Sequence, residues 1–493
     1  MKKVFFLSFA ILFTFTLNLN AQFAIRHQVA TPKLADSLDI AYYSKKNGAL
    51  AAGKIIGFNM GLWAFDRYAL KADYAYINMH TIKKNLKHGF VWDNDDLGNN
   101  MFLHPYHGSL YFNSARSNGY NYWESSLFAL GGSSMWELFL ENEYPSVNDI
   151  MATPIGGMAL GETLYRTSDL VLDDRLTGSE RFGREAAGFL ISPMRGLTRI
   201  INGDAWRTRS TSGKQFGVPD VSVEISAGVR ALELKDEIFD KGVGAALDIN
   251  IEYGDRFETE NQKPYDYFVF KANINAHSSQ PLLSQVNILG RIHVTELVNT
   301  EKDFLSLGMY QHFDFYDSDT ISDVSSKIPY KIAIPASFGG GLIYQSKRSR
   351  NYTFDAYFHL NAIILGGALS DHYVVDKRNY NLASGFGWKS GINLAYKDKI
   401  SVSSTFNTYR MFTLKGYPQN IDWDTVNPHE FNYQGDKSQA TLHVISLRGD
   451  LKLHKQLYLT AMYYNFIRDT NYKYYDDVFS KTSEGRLMLT YKF

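Results

Sequence analysis

The sequence predicts a mostly β protein: a transmembrane antiparallel β-barrel of about 12 strands, preceded by an α-helical N-terminal domain. Three observations lead to this prediction. The chain opens with an export-type segment, its first half has helical spacing with many small residues, and its second half alternates apolar and polar residues with period two. The alternation is also compatible with a barrel of about 10 to 14 strands.

The composition narrows the class of protein. Lys+Arg and Asp+Glu both total 51, so the chain has no excess of positive charge that would favour a nucleic-acid partner. The 33 Tyr and 33 Phe are typical of a protein whose rings sit at a membrane–water interface. With no cysteine, disulfides, thiolate metal sites, cysteine nucleophiles and lipoprotein anchors are excluded, and we expect no cofactor.

Residues 1–21 have the pattern of a signal peptide. Lys2 and Lys3 precede an apolar stretch from Val4 to about Leu17, and cleavage after Ala21 fits the pattern. The stretch is shorter than the roughly 20 residues that an ordinary spanning helix needs. We therefore expect an exported protein that enters a membrane only as a closed barrel.

Residues 22–214 are predicted to form the helical domain. Helical spacing indicates helices near 74–87, 107–117, 122–142, 154–172 and 179–201. Thr153 and Pro154 have the order of a helix cap and first turn, so the fourth of these helices is expected to begin there. No Gly/Ser-rich linker follows, which favours docking over free tethering.

Residues 215–493 are predicted to form the barrel. In "VSVEISAGVRA" the apolar residues alternate with polar ones, giving one face for lipid and one for the lumen. Charges of both signs are predicted to point inward and to form ion-pair ladders that close a narrow lumen. These inward residues are Glu224, Arg230, Asp248, Glu252, Lys271, Arg291, His293, Arg448, Asp450, Lys452 and Arg486. Residues 415–437 are predicted to be an extracellular loop.

The chain ends "RLMLTYKF", with Leu487, Leu489, Tyr491 and Phe493 on one face. This ending is similar to the C-terminal signal that outer-membrane barrel proteins present to their assembly machinery. We therefore expect outer-membrane lipid and, through Phe493, the assembly machinery as partners.

The segments "HPYHGSLYFNSARSNGYNYWESS", "GSSMWELFLENEYPSVND" and "GGMALGETLYR" carry the most specific pattern in the chain. Over about residues 100–170 they resemble domain-of-unknown-function family 3943, found in exported bacterial envelope proteins. The resemblance implies this location and architecture but carries no catalytic residue. The positions expected to form the family core are Arg116, Trp136, Asp149, Gly157, Gly161, Glu162 and Arg166.

The same region contains the only candidates for chemistry. His104 and His107 offer two imidazoles to a metal, and Glu137 and Glu141, one helical turn apart, are an acid–base pair or a third ligand. The alternative is polar packing, which we favour. In that case Glu162 and Arg166 pair at i,i+4, and Arg116 pairs with Glu137 or Glu141.

We therefore expect an outer-membrane protein with a structural, binding or narrow-transport role, leaning away from an enzyme. The helical domain is expected in the periplasm or in the lumen, where it regulates the pore or recruits a periplasmic protein. The alternative is a lipid- or glycan-modifying enzyme of the envelope, with a site built from residues 104–141.

Overall fold

The computed structural model describes residues 41–234, 237–260, 262–277, 279–321, 327–372, 374–375, 377–421 and 432–493. The predicted signal peptide lies outside these residues. The chain forms two compact units. The first unit contains the described residues up to Lys87, together with Tyr106–Glu143 and Thr153–Pro219, and the second contains His88–Pro105, Tyr144–Ala152 and Asp220–Phe493.

The described residues before 202 are largely helical. The α-helices are α1 (Gly48–Phe65), α2 (Met79–His88), α3 (His104–Arg116), α4 (Tyr122–Phe139), α5 (Val147–Val171), α6 (Gly178–Ile191) and α7 (Pro193–Ile201). Short π-helical turns lie at Asp66–Leu70 and Asn99–Leu103, and a 3-10 turn at Asp73–Ala75. Among the described residues, no helix combines the length and apolar character needed to cross a membrane.

Local sequence explains where these helices begin. Asn121 and Glu124 form a complete capping box at the start of α4. The prediction that a helix begins at Thr153 is wrong: α5 begins at Val147, where the Asp149 amide donates to Ser146 Oγ (3.2 Å), and continues through Pro154. The segment 179–201 is likewise two helices, because Pro193 starts a new first turn after Ser192.

The second unit contains a closed antiparallel barrel of twelve strands, which confirms the predicted fold class. The strands are β1 (Val221–Leu234), β2 (Glu237–Tyr253), β3 (Phe268–Ala276), β4 (Leu283–Asn299), β5 (Asp303–Asp317), β6 (Lys331–Ser346), β7 (Tyr352–Leu369), β8 (Tyr380–Tyr396), β9 (Ile400–Phe412), β10 (Ser438–His454), β11 (Leu457–Tyr472) and β12 (Val478–Lys492). Each strand pairs with its sequence neighbour, and β1 pairs with β12 to close the wall, with Glu224 opposite Lys492. The domain boundary at 214/215 stays a prediction; the first strand begins at Val221.

The strands separate apolar and polar residues between the two sides of the wall. Val229, Leu447 and Leu487 expose at least half of their surface on the outside. Four of the eleven residues predicted to point inward, Arg230, Arg291, Asp450 and Arg486, are buried, five are partly buried and Lys271 is exposed. His293 does not point inward. A register shift between Arg291 and His293 moves it to the outer face, opposite Met309, so that prediction is wrong.

Ion pairs line the lumen at several levels. Glu484 binds both Arg230 (2.9 Å) and Arg486 (2.5 Å), and Arg486 also binds Asp248. Lys389 on β8 reaches Asp314 on β5 at 2.5 Å, past two intervening strands. Further along, Glu224 binds Arg448 at 2.8 Å and Lys492 at 3.0 Å. The predicted ladder is therefore present.

Apolar and aromatic side chains fill another level of the lumen. Tyr330 stacks on Phe466 with 4.1 Å between ring centroids. These two rings belong to a hydrophobic cluster whose residues come from strands around most of the wall. It includes Leu232, Tyr316, Ile334, Ile363, Tyr409, Leu442 and Phe466. Arg230, Glu484 and Arg486, at the level of the ion pairs, expose at most 5 % of their surface. A water-filled pore would leave such side chains wet, so the lumen is packed.

Candidate functional site

A polar cluster lies where two short segments of the second unit meet. The Val91 amide donates to the Pro145 carbonyl (2.9 Å), and the Val147 amide donates to the Val91 carbonyl (2.7 Å). This bridge sets Asp93, Asn100 and His104 beside Asn148 and Asp149. These five residues are called the Asp93 cluster below.

Hydrogen bonds organise the Asp93 cluster. The Asp93 amide donates to Asn148 Oδ1 (3.1 Å), and Asn148 Nδ2 donates to Asp149 Oδ1 (3.0 Å). Asn100 Nδ2 donates to Asp93 Oδ1 at 2.5 Å. His104 Nε2 lies 3.7 Å from Asp149 Oδ1. An imidazole nitrogen and a carboxylate oxygen at this separation can serve acid–base chemistry or supply two ligands of a divalent metal.

The electrostatics of this cluster favour a neutral imidazole. Burial lowers the pKa of His104, and the carboxylates of Asp93 and Asp95 offset this effect only in part. Burial raises the pKa of Asp93, but its hydrogen bonds, with Asp149 first and then with Asn100 and the Asp95 backbone, outweigh burial and hold that pKa below its usual range. At neutral pH the cluster therefore combines an uncharged histidine with an ionised Asp93.

The cluster is fixed to the barrel wall within the same unit. Arg378 Nη1 donates to the Asp93 carbonyl (2.7 Å), and Asn100 Nδ2 donates to the Tyr380 hydroxyl (2.8 Å). The Phe102 ring lies 5.4 Å from the Phe315 ring. Phe315 has the same parity on β5 as the exposed Met309, so it points away from the lumen. The residues around Phe102 therefore pack on the outer side of the wall.

Three of the predicted site residues lie in the first unit. Glu137 is buried on α4, and the Glu141 backbone carbonyl accepts from Asn85 Nδ2 (3.0 Å). Burial, and to a smaller extent the charges of Glu137 and Glu141, raise the pKa of Tyr111. His107 packs edge-on against Phe58, with 5.9 Å between ring centroids. The predicted one-turn spacing of the two glutamates is wrong, because α4 ends at Phe139 and Glu141 lies beyond it.

A second polar centre of the first unit surrounds Glu162. Arg116 Nε donates to Glu162 Oε2 (2.6 Å), and Arg166 Nε donates to Glu162 Oε1 (2.9 Å). The predicted i,i+4 pair is present, whereas the pairing of Arg116 with Glu137 or Glu141 is wrong. Arg116 ends α3 alongside α5, and the Phe216 ring lies over the Arg166 guanidinium at 4.1 Å. This arrangement is structural, since both guanidinium groups are used in ion pairs.

Glycines set the distance between α3 and α5. A Cβ on Gly108 would lie 1.7 Å from the Thr153 carbonyl oxygen, and one on Gly157 would lie 2.5 Å from the Gly108 carbonyl carbon. A Cβ on Gly161 would meet the Phe112 ring at 2.7 Å. The glycines of the predicted family core therefore permit a helix crossing that no other residue allows.

The candidate residues are thus divided between the two units. His104 and Asp149 belong to the second unit; His107, Glu137 and Glu141 belong to the first, as does Trp136, which is half-buried. The sequence analysis missed Asp93, Asn100 and Asn148. The run "WDNDDLGNN", with its density of Asp and Asn, was the available signal for the first two.

A closed antiparallel wall with an apolar outside and a packed polar lumen defines a β-barrel protein, here one that also carries a helical region. Residues 89–194 match the model of DUF3943, a domain of unknown function. The match confirms the resemblance predicted from residues 100–170. No curated protein sequence matches the chain significantly.

Solved structures that align with part of the chain include a NanC porin (8% identity, 55% of this chain and 100% of that chain, TM-score 0.26). The Pseudomonas putida toluene transporter TodX aligns at 10% identity over 57% of this chain and 91% of its own, with a TM-score of 0.22. The CymD monoaromatic hydrocarbon channel gives 10% identity, 57% and 90% coverage and a TM-score of 0.24. Such loose alignments carry no functional argument, and the fold rests on the strand pairing described above.

Proposed function

We propose that this chain is a bacterial outer-membrane protein whose barrel is a closed, non-conducting scaffold for the DUF3943 region. The packed lumen carries this proposal. Side chains from strands that are not neighbours bind each other through Lys389 and Asp314 and through Arg448 and Glu224, so that ion pairs occupy the space a pore would need.

The membrane location is supported by the outer surface of the barrel. Leucines on this surface, such as Leu447, Leu451 and Leu489, are about half exposed, although burying apolar side chains is the main driving force of folding in water. A closed wall leaves no strand edge unpaired, which is the condition for β-structure in lipid. The export-type segment and Phe493 are consistent with this location and with delivery through the barrel assembly machinery.

Electrical recording tests the proposal. The refolded full-length protein is inserted in planar bilayers beside the doubly substituted Lys389→Ser/Asp314→Ser variant, which removes one ion pair between strands that are not neighbours. We expect no steady single-channel current from the parent and a measurable rise in events from the variant. Steady parent conductance would refute the closed-scaffold proposal and support a narrow transporter instead.

The Asp93 cluster favours a second candidate, an envelope lipid- or glycan-modifying enzyme. A neutral His104 next to a carboxyl pair has the protonation state that a general base requires. Mass spectrometry of envelope lipids and glycans incubated with the folded protein tests this candidate. A product formed by the parent and by the exposed-site control His80→Ala, but lost in His104→Ala, would establish it; no product from the folded parent would count against it.

A further inference from the structure

Helix α1 places its polar side chains toward the inside of the first unit. Lys54 and Asn59, near the middle of the helix, are 6 % and 0 % exposed. The Lys54 amine donates to Ser117 Oγ (3.0 Å) and to the Met194 carbonyl (3.2 Å). Asn59 Nδ2 donates to the Gly132 carbonyl (3.1 Å). This is the reverse of the arrangement that a helix on a water-soluble surface adopts.

The opposite side of α1 is apolar and exposed. Ile56, Met60 and Phe65 expose between 43 % and 51 % of their surface. Gly53, Gly57 and Gly61 recur every four residues on this side, and a Cβ added to any of them would meet no atom of the described chain within 4 Å. Lys54 is the only charged residue within α1, and it points the other way.

Helix α4 extends the same kind of surface. Trp123, Leu127, Leu130 and Phe139 are exposed, and Leu127 reaches 68 %. The charged residues of α4 are Glu124, which binds Lys46 at 2.7 Å at the start of the helix, and Glu137, which is buried. The exposed sides of α1 and α4 are called the apolar face below.

Two hydroxyl groups on the apolar face are bonded within their own helix. Ser126 Oγ donates to the Trp123 carbonyl (2.6 Å), and Ser134 Oγ donates to the Leu130 carbonyl (2.8 Å). A hydroxyl bonded in this way needs no water. An open groove of 310 Å³ separates the two helices and is lined by apolar residues and glycine, among them Ile55, Ile56, Leu127, Phe128 and Gly131.

We propose that the apolar face is the surface through which the helical unit contacts the hydrocarbon of a lipid bilayer. Protein interfaces of ordinary size include about one hydrogen bond per 100–200 Å² and a polar rim. Between Lys46 at one end and Arg67 at the other, the apolar face has neither that density of hydrogen-bonding groups nor a polar rim. The 18 residues of α1 give it a length of about 27 Å, close to the thickness of a hydrocarbon core.

The interior of the first unit fits the same environment. Its helices approach through Gly108 and Gly157 without side chains between them, and its buried contacts include the ion pairs around Glu162. Helices in lipid pack through small residues and buried polar groups, because burying apolar surface brings no gain there. The apolar face is therefore the outer surface of a unit built with polar residues inside.

This inference rests on the proposed membrane location of the barrel, and single cysteines test the two separately. The chain contains no cysteine, so each introduced thiol is unique. Leu127→Cys reports the apolar face, Leu447→Cys reports the barrel wall, and Glu180→Cys reports an exposed polar position of the helical unit. Each full-length variant carries a thiol-linked fluorophore in phosphatidylcholine vesicles containing brominated lipid, and iodide is the aqueous quencher.

We expect brominated lipid to quench the labels at 127 and 447 to the same extent and iodide to quench only the label at 180. Iodide quenching at 127 together with lipid quenching at 447 would overturn the inference and leave the barrel proposal standing. Protection of 127 from both quenchers would also overturn it, since a protein surface or a second copy would then cover the face. Loss of lipid quenching at 447 would instead refute the membrane location.

Discussion

Replacing Gly157 by alanine should destabilise the helical unit, although the same change usually strengthens a helix. The new Cβ would lie 2.5 Å from the Gly108 carbonyl carbon, whereas ordinary contact begins at 3.4 Å, so α3 and α5 must move apart. Overpacking of this kind costs about 1–3 kcal/mol, and occasionally more. The higher helix propensity of alanine returns about 1 kcal/mol. We expect a net loss of up to about 2 kcal/mol in the free energy of unfolding.

Urea unfolding followed by circular dichroism at 222 nm measures this loss, because that signal reports mainly the helices. Gly183→Ala is the matched control: Gly183 lies inside α6, and a Cβ there would meet nothing within 4 Å in the described chain. We expect its midpoint to rise slightly or stay unchanged. A Gly157→Ala midpoint equal to or above that of Gly183→Ala would refute the claim that the helix crossing depends on the missing side chain.

Three further outcomes are expected. Glu162→Gln leaves two buried guanidinium groups without their carboxylate and should cost about 3–5 kcal/mol in urea unfolding, whereas the exposed Glu180→Gln should change little. Burial raises the pKa of Glu162, but its arginine partners hold that pKa below its usual range. The contribution of Glu162 to the free energy of unfolding is therefore complete above the unfolded pKa of about 4.3 and is lost as the pH falls through the lower folded pKa. The urea midpoint of the parent should consequently drop in acid more than that of Glu162→Gln. Arg378→Ala removes the donor to the Asp93 carbonyl and should speed chymotrypsin cleavage within residues 88–105. The control Arg350→Ala, in an exposed loop, should leave the cleavage rate unchanged. Equal cleavage rates for the two variants would show that Arg378 does not hold the segment.

The two polar centres differ in what they can do chemically. Glu162 accepts three hydrogen bonds from two arginines in fixed geometry and is fully buried, so its carboxylate is not accessible to a substrate. In the Asp93 cluster the donors are mostly amides, and His104 is 19 % exposed. If either centre acts on a ligand, the Asp93 cluster is the one with a proton-accepting group within reach of solvent.

Period-two alternation was sufficient to predict the barrel. A strand that separates lipid from lumen must place apolar residues on one face, and a one-residue slip would reverse every side chain. The sequence therefore predicts a barrel of about twelve strands and inward residues such as Arg230 and Asp248. The prediction for His293 was wrong because the register shift beside it locally reverses which residues face the lumen, and no periodic pattern reveals such a shift.

In the helical region the sequence determined the family and the pair formed by Glu162 and Arg166, since i,i+4 spacing fixes their proximity on any helix. Only the tertiary structure decided that Arg116 joins Glu162, because that contact depends on how closely α3 and α5 approach. The Asp93 cluster likewise depends on a bridge between Val91 and Pro145, more than fifty positions apart. Local spacing determines contacts within one element, whereas contacts between elements are determined by packing.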